Sequence, residues 1–82
     1  MGPRDTLNKL MWHPEFNLRD AKVMIVHRGV PGNFRVIDGS DIKELGPGFM
    51  RVVTPEGEAE IPYHRILQIE ARKQVLWKKS EV

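Results

Sequence analysis

Short β-type segments separated by turn-forming residues run through most of this chain and limit what it can fold into. Between residues 22 and 79, runs such as KVMIVHR (22–28) and FMRVVT (49–54) alternate with breaks such as GVPGN (29–33) and PEGE (55–58). β-Branched residues favour strands, while glycine and proline favour the turns between them. The pattern therefore predicts a small antiparallel sheet with short connections.

The other segments of this region fit the same interpretation. SDIKEL (40–45) is interpreted as a helical turn or loop, and residues 72–74 are the turn of a final hairpin. Pro62 lacks a backbone N–H group, so we expect it at a sheet edge, a bulge or a bend. The further predicted strands are FRVID (34–38), AEIPY (59–63), ILQIEA (66–71) and VLWKK (75–79).

An amphipathic pattern precedes the predicted strands. Leu7, Leu10 and Met11 have the i, i+3, i+4 spacing of one helical face. This spacing predicts a helix over about residues 4–12.

These elements fit one small domain, residues 1–82, with a β-rich body over about 22–79. We predict an α+β fold, in which a small curled antiparallel sheet or partial barrel of about five to six short strands packs against one N-terminal helix. The C-terminal end is expected to fray. A chain of this length buries about 60 % of its unfolded surface, so the core is small.

The amino-acid composition excludes several classes of function. The chain has no cysteine, which excludes disulfides, thiolate metal ligands and a cysteine nucleophile. Its three histidines lack the spacing of a metal motif, so we expect neither metal nor cofactor. A small domain without disulfides indicates the reducing cytoplasm. The longest purely apolar run, Val23 to Val26, is far shorter than the roughly 20 residues that span a bilayer, so no membrane segment is expected.

Charge is distributed unevenly along the chain. Residues 1–28 hold five Lys and Arg against three Asp and Glu, residues 29–62 hold three against six, and residues 63–82 hold five against two. The segments therefore carry charges of +2, −3 and +3. If the two basic ends meet in space, they form a basic face of the kind that attracts nucleic acid.

A histidine followed by an arginine occurs twice, once at the end of a predicted strand and once directly after one. The pairs are His27–Arg28 and His64–Arg65. Arginine presents a fork of donors that matches phosphate oxygens, and histidine adds a donor that can be charged near neutral pH. Neighbouring side chains of a regular strand point to opposite faces, so His64 and Arg65 share a site only if the chain bends near Pro62.

The residues alone leave two interpretations of these pairs open. The pairs form one site for an anionic group with several oxygens, or each is an exposed strand end without a binding role. Tyr63, next to the second pair, stacks on a base in the first interpretation and fills the core in the second.

Four segments of the chain carry a family resemblance. They are TLNKLMW (6–12), VHRGVPG (26–32), GSDI (39–42) and IPYHRILQI (61–69). With Trp77 late in the last strand, they resemble a small archaeal family, the RNA cyclic group end recognition domain. The resemblance covers essentially the whole chain. One departure is the turn ARKQ, where a glycine is expected in the family, and this departure affects the last hairpin and not the candidate site.

The resemblance implies binding of RNA ends that carry a 2′,3′-cyclic phosphate or a related processed terminus. By position, the implied binding residues are His27, Arg28, His64, Arg65 and Tyr63. A cyclic phosphate is a monoanion with two free oxygens, which a few charge-assisted donors recognise. The implied partner is therefore RNA, and we favour a non-catalytic RNA-binding module that acts in RNA processing.

Two other functions remain open at this point. Two histidines beside a cyclic phosphate are suited to acid–base opening of the ring, as in a phosphodiesterase. The residues two positions after the histidines are Gly29 and Ile66, whereas two-histidine phosphodiesterases have serine or threonine there. The third candidate is a structural or adaptor barrel that binds protein. The oligomeric state is left open.

Overall fold

The computed structural model of the protein describes residues 2–13, 17–29 and 31–79. Its one α-helix within those ranges, α1, spans Pro3–Trp12, and single 3-10 turns include Leu18–Asp20, Gly39–Asp41 and Tyr63–Arg65. The strands are β1 (Ala21–Val26), β2 (Phe34–Asp38), β3 (Ile42–Leu45), β4 (Phe49–Thr54), β5 (Gly57–Pro62), β6 (Ile66–Ala71) and β7 (Gln74–Lys78).

The strands form two antiparallel sheets. The four-stranded sheet has the order β2-β1-β6-β7, and the three-stranded sheet has the order β3-β4-β5. The chain thus leaves the first sheet after β2, builds the second sheet, and returns to pair β6 with β1. This long-range pairing places the end of β1 beside the start of β6.

The helix and both sheets contribute to one hydrophobic core. In β1, Ala21, Val23 and Ile25 are buried while Lys22 is exposed, which is the alternation of a strand with one face on the core. Leu7 of α1 is fully buried in the same cluster. The cluster is completed by Leu10, Leu18, Ile37, Met50, Val52, Ile61, Tyr63, Ile66, Ile69 and Ala71.

The predicted α+β class with an N-terminal helix is confirmed. The described residues form seven strands in two open sheets, where the sequence pattern predicts five to six strands in one curled sheet. The additional strand is β3, which lies in the segment 40–45 that was expected to be a helical turn or loop. Only the start of that segment, in the 3-10 turn Gly39–Asp41, has the expected form. Lys43 and Glu44 are exposed in β3, so its sequence lacks an apolar run and the strand is specified by pairing with β4.

Two further expectations concern the chain ends. The helix begins at Pro3, and the N–H group of Gly2 donates to Asp5 Oδ2 at 3.4 Å, which satisfies one donor at the helix start. The predicted fraying of the C-terminal end concerns residues 80–82, which lie outside the described residues.

Within the described ranges, no helix is long and apolar enough to cross a membrane.

Candidate functional site

The pairing of β1 with β6, the two central strands, brings the two His-Arg pairs to the same end of the four-stranded sheet. Ile25, near the end of β1, is the partner of Ile66, the first residue of β6. In an antiparallel pair the end of one strand lies beside the start of the other. The residues that follow β1 and those that precede β6 therefore emerge together.

The first pair lies in the turn that follows β1. The backbone N–H of His27 donates to the carbonyl oxygen of Asn33 at 2.9 Å, which closes the connection to β2. Gly29 has a φ of +93°, a conformation that glycine adopts without steric cost. Arg28 is thereby held in a tight turn with an exposed side chain, while His27 is half-buried.

The second pair lies in the 3-10 turn Tyr63–Arg65, directly after Pro62. The chain therefore bends here, which was one of the two ways in which His64 and Arg65 could share a site. The guanidinium of Arg65 donates through Nη2 to the carbonyl oxygen of Val26 at 2.7 Å. This bond fixes the second pair against the end of β1.

The two pairs line one cleft of about 590 Å³, which we call the cationic cleft. Lys79 also lines it and donates from Nζ to the carbonyl oxygen of His64 at 2.9 Å. The residues that line the cationic cleft are Val26, His27, Arg28, His64, Arg65 and Lys79. None of these lining residues is acidic, so the side chains that line the cationic cleft present hydrogen-bond donors and positive charge.

The carboxylates of the described ion pairs do not line the cationic cleft. Among the described residues, the ion pairs of the three-stranded sheet join Lys43 to Glu58 at 2.7 Å, and Arg51 to Glu44 and Glu60 at 3.0 and 3.1 Å. The hydrogen bond from Lys43 lowers the pKa of Glu58. Two cations of this sheet thus pair with three of the six carboxylates in the acidic middle of the chain, and the described ion pairs do not involve the cationic cleft.

Tyr63 does not line the cationic cleft. Its side chain is buried, and its hydroxyl donates to the carbonyl oxygen of Gly46 at 2.6 Å. Burial raises the pKa of the Tyr63 phenol, an effect that the nearby positive charge of Arg4 opposes. The structure therefore brings together four of the five predicted site residues and places Tyr63 in the core beneath them.

Sequence reasoning did not single out Lys79. The only signal for it was the excess of basic residues after position 62, which also includes residues elsewhere on the surface. The neighbouring Lys78 does not line the cationic cleft. The choice between two adjacent lysines depends on where β7 ends.

Comparison with known proteins finds one family, by a family model and by individual relatives. The model of the MJ1316 RNA cyclic group end recognition domain matches residues 1–79. The UPF0248 protein of Archaeoglobus fulgidus is 33% identical over 89% of this chain and 99% of its own length. The corresponding protein of Methanocaldococcus jannaschii is 36% identical over 94% and 92%, and that of Pyrococcus furiosus is 41% identical over 95% and 88%. The comparison with solved structures gives no significant match.

Proposed function

The chain belongs to the family of the MJ1316 RNA cyclic group end recognition domain, and on that premise we propose that it is an RNA-binding module for processed RNA termini. The proposed ligand is a 2′,3′-cyclic phosphate or a related phosphate end. The proposed setting is RNA processing in the cytoplasm. The matched curated relatives named above are archaeal proteins of about the same length.

The convergence of the two His-Arg pairs on one cleft is the observation that carries the proposal. Arg28, Arg65 and Lys79 contribute three positive charges, and His27 and His64 add imidazole groups. A terminal phosphate in such a cleft receives charge-assisted hydrogen bonds, which are shorter and stronger than neutral ones.

The cleft is also partly preorganised. Arg65 uses one N–H of its guanidinium on Val26, and a guanidinium has five such donors. Lys79 likewise uses one of its three donors on the backbone of His64. Because both side chains are held in place by the protein, ligand binding costs less conformational entropy than with free side chains.

Binding of one short RNA with three different 3′ ends tests the proposal. The ends are a hydroxyl, a 3′-phosphate and a 2′,3′-cyclic phosphate, each measured at two salt concentrations. We expect phosphate-bearing ends to bind about tenfold or more tightly than the hydroxyl end, since each charge-assisted bond contributes about 1.5–3 kcal/mol. Equal affinity for all three ends contradicts end recognition and leaves binding by a basic surface.

Two variants sharpen this comparison. Arg28→Ala removes an exposed cation from the cleft and is expected to abolish most of the difference between ends. Arg19→Ala removes an exposed cation outside the cleft and is expected to preserve it. Loss of discrimination in both variants indicates a general charge effect.

The presence of both His27 and His64 in the cleft favours one second candidate, a phosphodiesterase that opens the cyclic phosphate. Analysis of the RNA end after incubation decides between them. An unchanged cyclic end supports the binding module. Conversion to a 2′- or 3′-monophosphate that is lost in His27→Ala supports the enzyme.

The structural or adaptor function makes a different prediction about His64. If the pair served the fold, His64→Ala would lower the melting temperature. The His64 side chain is exposed, so we expect this variant to melt like the parent protein and to bind phosphate ends more weakly.

A further inference from the structure

An apolar pocket of about 340 Å³ lies beside the cationic cleft. We call it the apolar pocket; Pro3, Tyr63, His64, Ile66, Trp77 and Lys79 line it. His64 and Lys79 line the cationic cleft as well, so the two cavities adjoin along these side chains.

The interior of the apolar pocket offers a ligand mainly apolar contact and few hydrogen bonds. Ile66 is fully buried and Tyr63 nearly so, while Trp77 is half-buried and packs against the core. The hydroxyl of Tyr63 is engaged with the carbonyl of Gly46. Apart from the shared rim of His64 and Lys79, the apolar surface that a ligand can reach is therefore mainly that of the half-buried Pro3 and Trp77.

We propose that the apolar pocket receives the nucleobase of the terminal nucleotide whose phosphate lies in the cationic cleft. The inference rests on the proposed function and identifies the second subsite of the same ligand. Base and phosphate are attached to one ribose, so a terminal nucleotide needs an apolar and a cationic subsite next to each other. The shared His64 and Lys79 provide that adjacency.

The apolar lining also predicts how the base is recognised. Aromatic side chains that hold bases by stacking accept every base, because each base has a π-face, whereas specific readout needs hydrogen bonds to base edges. The apolar pocket is therefore expected to accept all four bases. Exchanging one base for another should change the affinity much less than removing the base.

A base-free RNA end tests the inference directly. Two short RNAs with the same 2′,3′-cyclic phosphate are compared, one with adenine on the terminal ribose and one with hydrogen in its place. Base stacking is expected to make the adenine end bind about tenfold or more tightly. Equal affinity of the two ends overturns the base subsite while leaving phosphate recognition intact. Failure of both ends to bind better than a hydroxyl end overturns the proposed function, and the base subsite with it.

Tryptophan fluorescence gives a readout that does not depend on mutating the pocket. The chain has two tryptophans, and Trp12 is 83% exposed and lines a different groove. Trp12→Phe therefore leaves Trp77 as the only reporter. Adenosine 2′,3′-cyclic phosphate is expected to change its emission, and the base-free ribose cyclic phosphate is expected not to do so. Identical responses contradict contact between the base and the apolar pocket.

Two substitutions complete the test. Trp77→Leu removes the aromatic face, and Pro3→Ala shortens a half-buried side chain that also lines the pocket. Each is expected to reduce the advantage of the adenine end over the base-free end, and Trp12→Leu is the matched control that preserves it. Since Trp77 packs on the core, Pro3→Ala decides the outcome if Trp77→Leu fails to fold. An undiminished advantage in folded Pro3→Ala counts against the inference.

Discussion

Arg65 donates a hydrogen bond of 2.7 Å to the carbonyl oxygen of Val26, and this contact joins two parts of the chain that are 39 residues apart. Val26 is the last residue of β1, and Arg65 is the last residue of the turn before β6. The same guanidinium lines the cationic cleft. One side chain therefore both stabilises the bend that forms the cleft and contributes to the charge inside it.

Replacing Arg65 separates these two contributions. Arg65→Ala is expected to lower the free energy of unfolding by about 1–2 kcal/mol, because a half-buried hydrogen bond from a charged group is lost. It is also expected to weaken binding of phosphate-ended RNA. Arg65→Lys keeps the charge but not the fork of donors, so it should recover part of the affinity and little of the discrimination between ends. Urea denaturation and RNA titration of the two variants measure both effects.

The control for Arg65 is Arg19→Ala, which removes an exposed positive charge outside the cleft. It should leave both stability and end discrimination close to those of the parent protein. If Arg65→Ala discriminates between RNA ends as well as Arg19→Ala does, the cleft is not the phosphate site.

The adjacent lysines at the end of β7 predict different salt dependences. Lys79 lines the cleft and Lys78 does not, although both side chains are exposed. Lys79→Ala should weaken binding about fivefold, equivalent to about 1 kcal/mol. It should also reduce the slope of log K against log salt by about 0.7, the value for one phosphate contact on a single strand. Titration at four salt concentrations checks this, and equal slopes for Lys79→Ala and Lys78→Ala contradict it.

Much of the fold follows from local sequence signals. Leu7 and Leu10 lie on one face of a helix, and the β-branched runs of β1 and β4 behave as strands. The division into two sheets could not be predicted in this way, because it depends on the long-range pairing of β1 with β6. The polar strand β3 was missed for a related reason, since only its partner β4 makes it a strand.

The candidate site shows the same division between local and long-range information. Strand ends and Pro62 indicate where the His-Arg pairs leave the sheet, and this could be predicted from the sequence. Their convergence required the register that sets Ile25 opposite Ile66. The position of Tyr63 was harder to predict, because a 3-10 turn does not follow the alternation of a strand and turns this ring into the core.

Removing the hydroxyl of Tyr63 tests whether this residue serves the fold or the ligand. Tyr63→Phe keeps the ring but removes the donor to the carbonyl of Gly46, a bond of 2.6 Å between buried groups. We expect the free energy of unfolding to fall by about 1 kcal/mol. Binding of phosphate-ended RNA should not change, since the hydroxyl does not reach the cationic cleft. A loss of affinity in Tyr63→Phe without a loss of stability would place the hydroxyl at the ligand.

Gly39 allows a prediction about packing. A Cβ atom at this position would lie 1.7 Å from the carbonyl oxygen of Leu18, so the backbone of one of the two turns must move. Gly39→Ala is expected to destabilise the protein by about 2–3 kcal/mol or more. At Gly48 a Cβ atom meets nothing within 4 Å, and Gly48→Ala should be close to neutral. Thermal melts of the two variants compare the same chemical change in two environments, and equal melting temperatures would contradict the described contact between the turns.

The final hairpin predicts a stabilising substitution. Its two turn residues, Arg72 and Lys73, have φ angles of +51° and +65°, a conformation that is unfavourable for residues with a Cβ atom. The turn thus lacks the glycine that two-residue hairpins of this kind favour at the second position. Lys73→Gly is expected to stabilise the protein by about 0.5–1 kcal/mol, which raises the melting temperature by roughly 2–8 °C in a domain of this size. Gln74→Gly, one residue further along in β7, should lower the melting temperature because glycine weakens a strand. If both glycine variants lower it, the strain at Lys73 does not limit the stability of the hairpin.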